Sequence, residues 1–554
     1  MENIFINEVK KAKGRHFYQF DLLSLQIKSI THMEKGLKIG FKNFKKFQDF
    51  PMIELAPITF LVGPNNSGKS SFIKAFTFLF ANLDSQKRSA EIRPSFMTHV
   101  SFYHNGVANF EWGDFSTTLN RSQESHEISF SWELRDTLFS FSFGASKEDI
   151  SDDPSLLTTL PIKTFVIKNN KLGITIENSL NDEKWLTVTK IDPKVLQEWL
   201  KNSTLWLKNS TLRLKSIIQR KSFLSSLSAI SGSWSMPRNV SFNNKIEDQL
   251  NEFEDQLNEY KQAEKSLKEK GNNDYIIFEE NPKTTLFSPV IKEKVLRDYC
   301  DYCINYIAGK RFGKSLISPN FAYIETHNAP HSLTINREDK NSFLAQTIAD
   351  FYSKVPQVKD SSAHSFIVKW MKEDEGFGFG NDFEISTHFG GEIFAVNIVK
   401  KDEIIPLGTL GTGAIQVFVL LLKLATILKT IGEDTNIVVL IEEPEQNLHP
   451  ALQSKLAELF LDVYRLSGGR VSFIIETHSE YLIRRTQVMV AEEHYADDAE
   501  LEEKNPFKVY YFPEKGLPYD MKYRRSGKFF NSFGSGFFNV SDDAALELFD
   551  INNI

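Results

Sequence analysis

An α/β fold organised around a phosphate-binding loop is predicted by three separated segments of this 554-residue chain. The first is Ile58-Thr-Phe-Leu-Val62, followed by Gly63-Pro-Asn-Asn-Ser-Gly-Lys69-Ser70 and then by a helix-like Ser71-Phe-Ile-Lys-Ala-Phe76. The second is Asn436-Ile-Val-Val-Leu-Ile441, followed by Glu442-Glu443-Pro444, and the third is Val471-Ser-Phe-Ile-Ile475, followed by Glu476-Thr-His478-Ser479. Each is a short apolar run that reads as a buried strand and ends in polar residues. In a parallel sheet such strand ends line the ligand crevice.

The run from Gly63 to Ser70 is G-x-x-x-x-G-K-[ST] between a strand and a helix, the context the motif requires, and it defines a P-loop NTPase. Gly63, Asn65, Asn66, Ser67, Gly68 and Ser71 bring loop amides and the positive end of a helix dipole to a triphosphate. Lys69 is expected to reach the β- and γ-phosphates of ATP, and the Ser70 hydroxyl to ligate Mg2+. The following helix presents Phe72, Ile73, Phe76, Leu79 and Phe80 on one apolar face.

A buried strand ending in two carboxylates beside a phosphate loop has a distinct use. Glu442 would hold magnesium through water, and Glu443 would polarise the attacking water. An exposed acidic turn is the plainer alternative, but Glu-Glu-Pro ends a β-branched run and Pro450 opens the next helix. His478 stands where it can contact the γ-phosphate, while Thr477 or Ser479 can also cap the helix that follows. Upstream, Leu410-Gly-Thr412-Gly413-Ala-Ile-Gln416 precedes an apolar helix from Val417 to Ile431. Thr412, Gly413 and Gln416 form a second anion-binding helix start. One nucleotide does not easily use two such starts from one protomer, so this one is expected to face the triphosphate of a partner copy.

Composition limits the remaining options. A net charge of -7 excludes a globally basic nucleic-acid binder, so any DNA or RNA contact must be a local patch. Candidates are Lys208, Arg213, Lys215, Arg220 and Lys221, interleaved with Trp206, or Lys522, Arg524 and Arg525; solvated faces are the plainer reading. No uncharged apolar run approaches eighteen residues and no basic-then-apolar leader is evident, so no membrane contact and a cytoplasmic location are expected. The two cysteines, Cys300 and Cys303, precede His327 and His331, but residues 304–326 separate the pairs by more than a zinc finger allows. Packed thiols are the expected reading.

The order along the chain is an N-terminal part of the nucleotide domain with a β-rich lobe (1–190), a helical or short coiled-coil insertion (191–310), the second part of the nucleotide domain (311–495) and a small C-terminal tail domain (496–554). Alternation in Leu37-Lys-Ile-Gly-Phe-Lys-Asn-Phe predicts antiparallel strands beside the P-loop strand. Ile246, Leu250, Phe253, Leu257, Tyr260 and Leu267 mark a short heptad seam with Glu264 interrupting it. A helical arm or hairpin and a single amphipathic helix packed on its own domain both satisfy that seam.

Together, Gly63–Ser70, Thr412-Gly-Ala-Ile-Gln416, Ile437–Glu443 and Thr477-His-Ser479 resemble the ABC-type ATPase heads of the Rad50, RecF and OLD group. Phe41-Lys-Asn-Phe and Glu-Glu-Pro-Glu-Gln-Asn-Leu-His-Pro450 are close to the bacterial OLD-like branch, and Gly536-Phe-Phe-Asn resembles the end of a tail domain behind some of those ATPases. The resemblance spans roughly 35–110 and 370–540. It implies that Lys69 and Ser70 are the Walker A pair, Glu443 the catalytic carboxylate, His478 the switch histidine, and Thr412 with Gly413 the signature acting in trans. Three departures accompany it: Glu442 stands where Asp is usual, Thr412 where Ser is usual, and His449 where a D-loop Asp is often found.

The stretch after His478 is short for the Toprim domain of OLD nucleases, and no Toprim acidic set or HNH constellation is evident. The architecture therefore looks like the PtuA family of Septu anti-phage systems and of retrons carrying Septu effectors. That resemblance implies a homodimer or higher homo-oligomer, an HNH nuclease partner, and in retrons a reverse transcriptase with its msDNA or another nucleic acid. The competing class is a RecF- or Rad50-like repair ATPase acting directly on DNA. A transporter ATPase fits the arm and the strand sequences poorly.

Overall fold

The computed structural model describes residues 36–85, 99–102, 112–134 (without 113 and 121–125), 136–145, 158–178, 186–231, 240–270, 276–277, 295–303 (without 297 and 301), 320–324, 335–493 (without 340–341, 357–360, 375, 402 and 434) and 505–534. The chain divides into two compact units, one built mainly from 165–311 and the other from 32–135, 140–164 and 312–554.

The larger unit begins with an antiparallel hairpin, β1 (Lys38–Phe44) and β2 (Phe47–Glu54), followed by β3 (Ile58–Val62) and helix α1 (Lys69–Ser85). Strand β4 (Glu127–Leu134) pairs with β1. Then come β5 (Asn320–Ile324), α2 (Phe343–Lys354), α3 (Ser362–Met371) and the antiparallel pair β6 (Asp382–His388) and β7 (Ile393–Lys400). The remainder alternates helix and strand: α4 (Thr412–Thr430), β8 (Ile437–Glu442), α5 (Pro450–Leu466), β9 (Val471–Glu476), α6 (Glu480–Glu493), β10 (Phe507–Tyr511) and β11 (Tyr519–Asp520).

Six of these strands form the central sheet in the order β5-β8-β9-β3-β10-β11. The first five are mutually parallel, and β11 is antiparallel to β10. Every residue of β3 and β9 is buried, the pattern of parallel strands covered on both faces. Helix α4 is long and apolar enough by composition to cross a membrane, yet most of it is buried, and Ile415 through Ile427 pack into the main core. The α/β P-loop fold expected from the sequence is thus present.

Two expectations need correction. The hairpin β1–β2 does not extend the P-loop sheet; it pairs with β4 in a separate antiparallel sheet. Its alternating residues instead send phenylalanines toward α1: the Phe41 ring stacks on Phe50 at 4.5 Å, and Phe50 meets Phe72 at 5.3 Å. Nor is 507–520 a separate tail, because β10 pairs with β3 along its full length and extends the nucleotide sheet. Long-range parallel pairing of that kind leaves no local mark in a sequence. Gly536 and its neighbours lie outside the described residues.

In the smaller unit, the end of strand Thr159–Asn169 pairs with Ile174–Asn178, which pairs with Leu186–Ile191, which pairs with Ile276–Ile277. Helices Pro193–Ser231 and Val240–Lys270 form an antiparallel hairpin. Trp199 meets Tyr260 and Trp206 meets Phe253 across it, at 5.4 and 5.6 Å. The heptad seam therefore closes on a helix of the same chain, with Leu257, Tyr260 and Leu267 buried. Lys208 is exposed and Lys215 is paired with Glu254 at 2.7 Å, while the side chains of Arg213, Arg220 and Lys221 lie outside the described residues. Cys303 is buried, which pushes its thiol up, as expected for a packed cysteine; His327 and His331 lie outside the described residues.

Phe41 is 2% exposed at the centre of the aromatic cluster that joins the hairpin to α1. Phe41→Ala is expected to cost about 3–5 kcal/mol of unfolding free energy in denaturant titration. A loss under about 1 kcal/mol would mean that the cluster does not hold the hairpin in place.

Candidate nucleotide site

The carboxyl ends of β3, β8 and β9 meet at one place because β9 lies between the other two. The loop leaving β3 is bracketed on both sides: Thr477 N donates to Leu61 O at 3.1 Å, and Phe512 N donates to Val62 O at 2.8 Å. Gly68 sits at φ +109°, where a Cβ would overlap the Phe47 ring. Lys46, next to that ring, donates to Asn66 O at 2.6 Å and to Glu514 O at 3.1 Å. Asn65 and Asn66 are exposed, Gly63, Ser67 and Gly68 are buried, and Ser71 is half-buried at the helix start.

Lys69 is 3% exposed and folds back onto its own loop, donating to Gly63 O and Pro64 O at 3.0 Å each. Its Nζ lies 3.8 Å from Glu476 Oε1. Burial lowers its pKa from the usual lysine range, and Glu476 is the largest opposing influence. Ser70 Oγ donates to the same Glu476 oxygen at 3.0 Å. Burial raises the Glu476 carboxyl to about 7, with the neighbouring Glu442 charge adding to the rise. Glu442 and Glu476 are register partners on adjacent parallel strands. Glu476 is the site residue that sequence reasoning passed over: it was visible at the end of the third apolar run, but its nearness to Ser70 depends on strand order.

Glu443 directly follows β8 and takes a left-handed backbone, φ 44°, that non-glycine residues rarely adopt. Its N–H donates to Glu476 O at 2.8 Å, and its carbonyl accepts from Gln446 N at 3.1 Å. Gln446 Nε2 donates to Glu443 Oε2 at 2.5 Å, and His478 Nε2 lies 3.8 Å from Glu443 Oε1. Burial, then Lys69, lowers the His478 pKa, while Glu443 works in the opposite direction. The backbone N–H of His478 donates to Glu445 Oε1 at 2.7 Å, so the turn after β8 holds the turn after β9. The capping reading also holds: Ser479 Oγ accepts from Leu482 N at 3.1 Å.

Gly411 and the half-buried Thr412 and Gly413 open α4. A Cβ on Gly413 would lie 2.5 Å from Asn447 O, so this helix start rests on the turn that carries Glu443. Gln416 does not share that exposure. It is 5% exposed, and its Oε1 accepts from Asn447 Nδ2 at 3.3 Å, on the turn that carries Glu443. One helical turn beyond the exposed start brings the side chain onto the inner face.

Oxygen donors from Ser70, Glu442 and Glu476 suit a hard divalent cation such as Mg2+. Glu476 Oε2 is buried with no hydrogen-bond partner among the described residues, which such a cation would satisfy. Ligand atoms of Glu443, Glu476 and His478 also lie within 4.8 Å of one another.

A P-loop strand, a buried loop lysine and a strand-end acidic cluster define a P-loop NTPase. The AAA ATPase domain family matches residues 37–483, and the chain belongs to that family. No protein of curated function matches it. Among solved structures it is similar to an Smc head domain from Pyrococcus furiosus with an extended coiled coil, bound to the C-terminal domain of ScpA, at 10% identity and TM-score 0.28, covering 93% of this chain and 98% of that one. It is also similar to an SMC head domain from Thermotoga maritima, at 11% identity and TM-score 0.29, covering 88% and 97%.

Glu445 is 6% exposed, and burial holds its carboxyl above the usual range despite the His478 amide. The folded state therefore keeps this proton to higher pH than the unfolded chain. Its stabilising contribution is complete below the ordinary carboxylate range and is lost as pH rises through the raised value. Glu445→Gln, which keeps an acceptor for His478 N, should gain in melting temperature over the parent as pH rises from about 4 to about 8. Parallel pH profiles for the two proteins would contradict this.

Proposed function

We propose that this ATPase binds Mg·ATP at the Gly63–Ser71 loop, closes two copies around the nucleotide, and through that closure regulates a partner effector nuclease in anti-phage defence of the Septu or retron type. The observation that carries the closure is the start of α4: Gly411 has nothing within 4 Å of where a Cβ would stand, and Thr412 beside it is half-buried. A helix start directed outward offers free amides and dipole charge to a phosphate held by another copy. It also rests through Gly413 on the turn bearing Glu443, so contact in trans is mechanically tied to the catalytic carboxylate.

In this reading Lys69 leaves Gly63 O and Pro64 O to meet the phosphates, and the amides of the loop hold them. Ser70 and Glu442 hold the cation, which when bound neutralises phosphate charge and orients the nucleotide. Glu443 accepts a hydrogen bond from the attacking water and polarises it, and His478 contacts the γ-phosphate. The head–head interface is the bistable element whose state the helical hairpin or a partner reads. An HNH nuclease is the proposed partner, with a reverse transcriptase and msDNA in a retron setting, and the proposed location is cytoplasmic.

A second reading, a RecF- or Rad50-like repair ATPase acting directly on DNA, draws support from one exposed patch. Lys522, Arg524 and Arg525 are exposed, and the Arg524 guanidinium lies 4.8 Å from the centre of the half-exposed Phe530 ring, a pairing suited to a nucleic-acid strand. Steep salt dependence of DNA binding, lost on replacing the three cations by alanine, would favour it over the nuclease-regulator reading.

Glu443→Gln is expected to abolish turnover while retaining ATP, and to accumulate a dimer or larger species in gel filtration with ATP. Replacing Thr412 by a bulky Trp should prevent that species while leaving ATP binding by the isolated protomer intact. Identical elution with and without ATP for the Gln variant would overturn the closure. Co-purification with an HNH protein, or its absence from the chain's operon and complexes, tests the defence role separately.

A further inference from the structure

The arrangement around Glu476 poses a charge problem that the P-loop alone does not solve. Glu476 is 4% exposed and lies level with Glu442, its register partner on the adjacent strand. The nearby positive charge is Lys69, at 3.8 Å, and Ser70 Oγ supplies one hydrogen bond to Oε1. Oε2 is buried with no partner among the described residues.

ATP binding as read above draws Lys69 toward the phosphates, so Glu476 loses its counter-charge at the moment more negative charge arrives. Buried carboxylates left without a cation are strongly unfavourable. A divalent cation seated between Ser70 and Glu476 removes both difficulties, since Oε2 is available and Ser70 Oγ already lies within 3.0 Å of Oε1.

We propose that Glu476, alongside Ser70, ligates the divalent cation of the bound nucleotide and makes tight nucleotide binding conditional on that cation. The inference rests on the ATPase reading and adds a residue and a consequence to it. In the absence of a divalent cation, Glu476 repels the triphosphate; in its presence, the same carboxylate holds it. Glu476 is thereby a selector of the metal-loaded nucleotide rather than a general contributor to affinity.

The test measures Kd for a fluorescent, non-hydrolysable ATP analogue in Mg2+ and in EDTA, for the full chain and for Glu476→Gln. In the parent the ratio of EDTA to Mg2+ Kd is expected to be large. In the Gln variant that ratio should fall by about 10–100-fold, with weaker binding in Mg2+ and tighter binding in EDTA. Electron paramagnetic resonance of Mn2+ with the analogue should show a matching loss of bound Mn2+. Both Kd values rising together, or both falling together, would overturn the proposal in favour of a merely structural carboxylate or a simple plug. Should the Gln variant fail to fold, judged by circular dichroism, Glu476→Ala carries the same expectation for the ratio. A parent chain that binds no analogue even in Mg2+ would overturn the ATPase reading itself, an outcome distinct from an unchanged ratio.

Discussion

Strand β9 lies between the P-loop strand and the strand that ends in Glu442, and the site's chemistry depends on that adjacency. Parallel pairing in register brings Glu476 level with Glu442 on one side and joins Glu476 to Leu61 on the other. The carboxylate then has no escape to solvent: it accepts from Ser70, lies beside Lys69, and its backbone carbonyl holds Glu443 N. One side chain and its own backbone thus link the phosphate loop to the turn after β8. The cost of burying charge in this position keeps the pieces mutually dependent.

A second linkage runs around the turn after β8. Glu443 has a left-handed backbone, Gln446 returns a hydrogen bond to its carboxylate, Glu445 holds the His478 amide, and Asn447 O supports Gly413. Three short contacts therefore connect Glu443, His478 and the exposed start of α4. A strained residue of this kind persists only where its surroundings over-determine it.

Support for the loop comes from segments distant in sequence. The β1–β2 hairpin places Phe47 under Gly68 and Lys46 against Asn66, while β10 brings Phe512 alongside Val62 and the Glu514 carbonyl onto Lys46. The aromatic rings of Phe47, Phe50, Phe72 and Phe512 pack on one another, so the hairpin, α1 and the C-terminal strand form one apolar support. A loop that must present amides to phosphate without reorganising needs that rigidity.

The amino-acid order by itself determined the P-loop, the strand–carboxylate junction at Glu442 and Glu443, and the position of His478, because each is written in contiguous residues. Helix α1, expected to bury one face, is instead buried nearly all round, Thr77 and Phe78 included. The tertiary structure decided which strands are neighbours, and hence that Glu476 belongs to the site and that Phe507–Tyr511 completes the sheet. It also decided that Gln416 turns inward: α4 is apolar nearly all round, so no periodicity marked its faces. For the heptad seam, the sequence held two solutions open, and only the meeting of Trp199 and Trp206 with Tyr260 and Phe253 selected the antiparallel hairpin. Contacts between residues far apart in the chain carry no signature in either partner's neighbourhood, which is why these features required the fold.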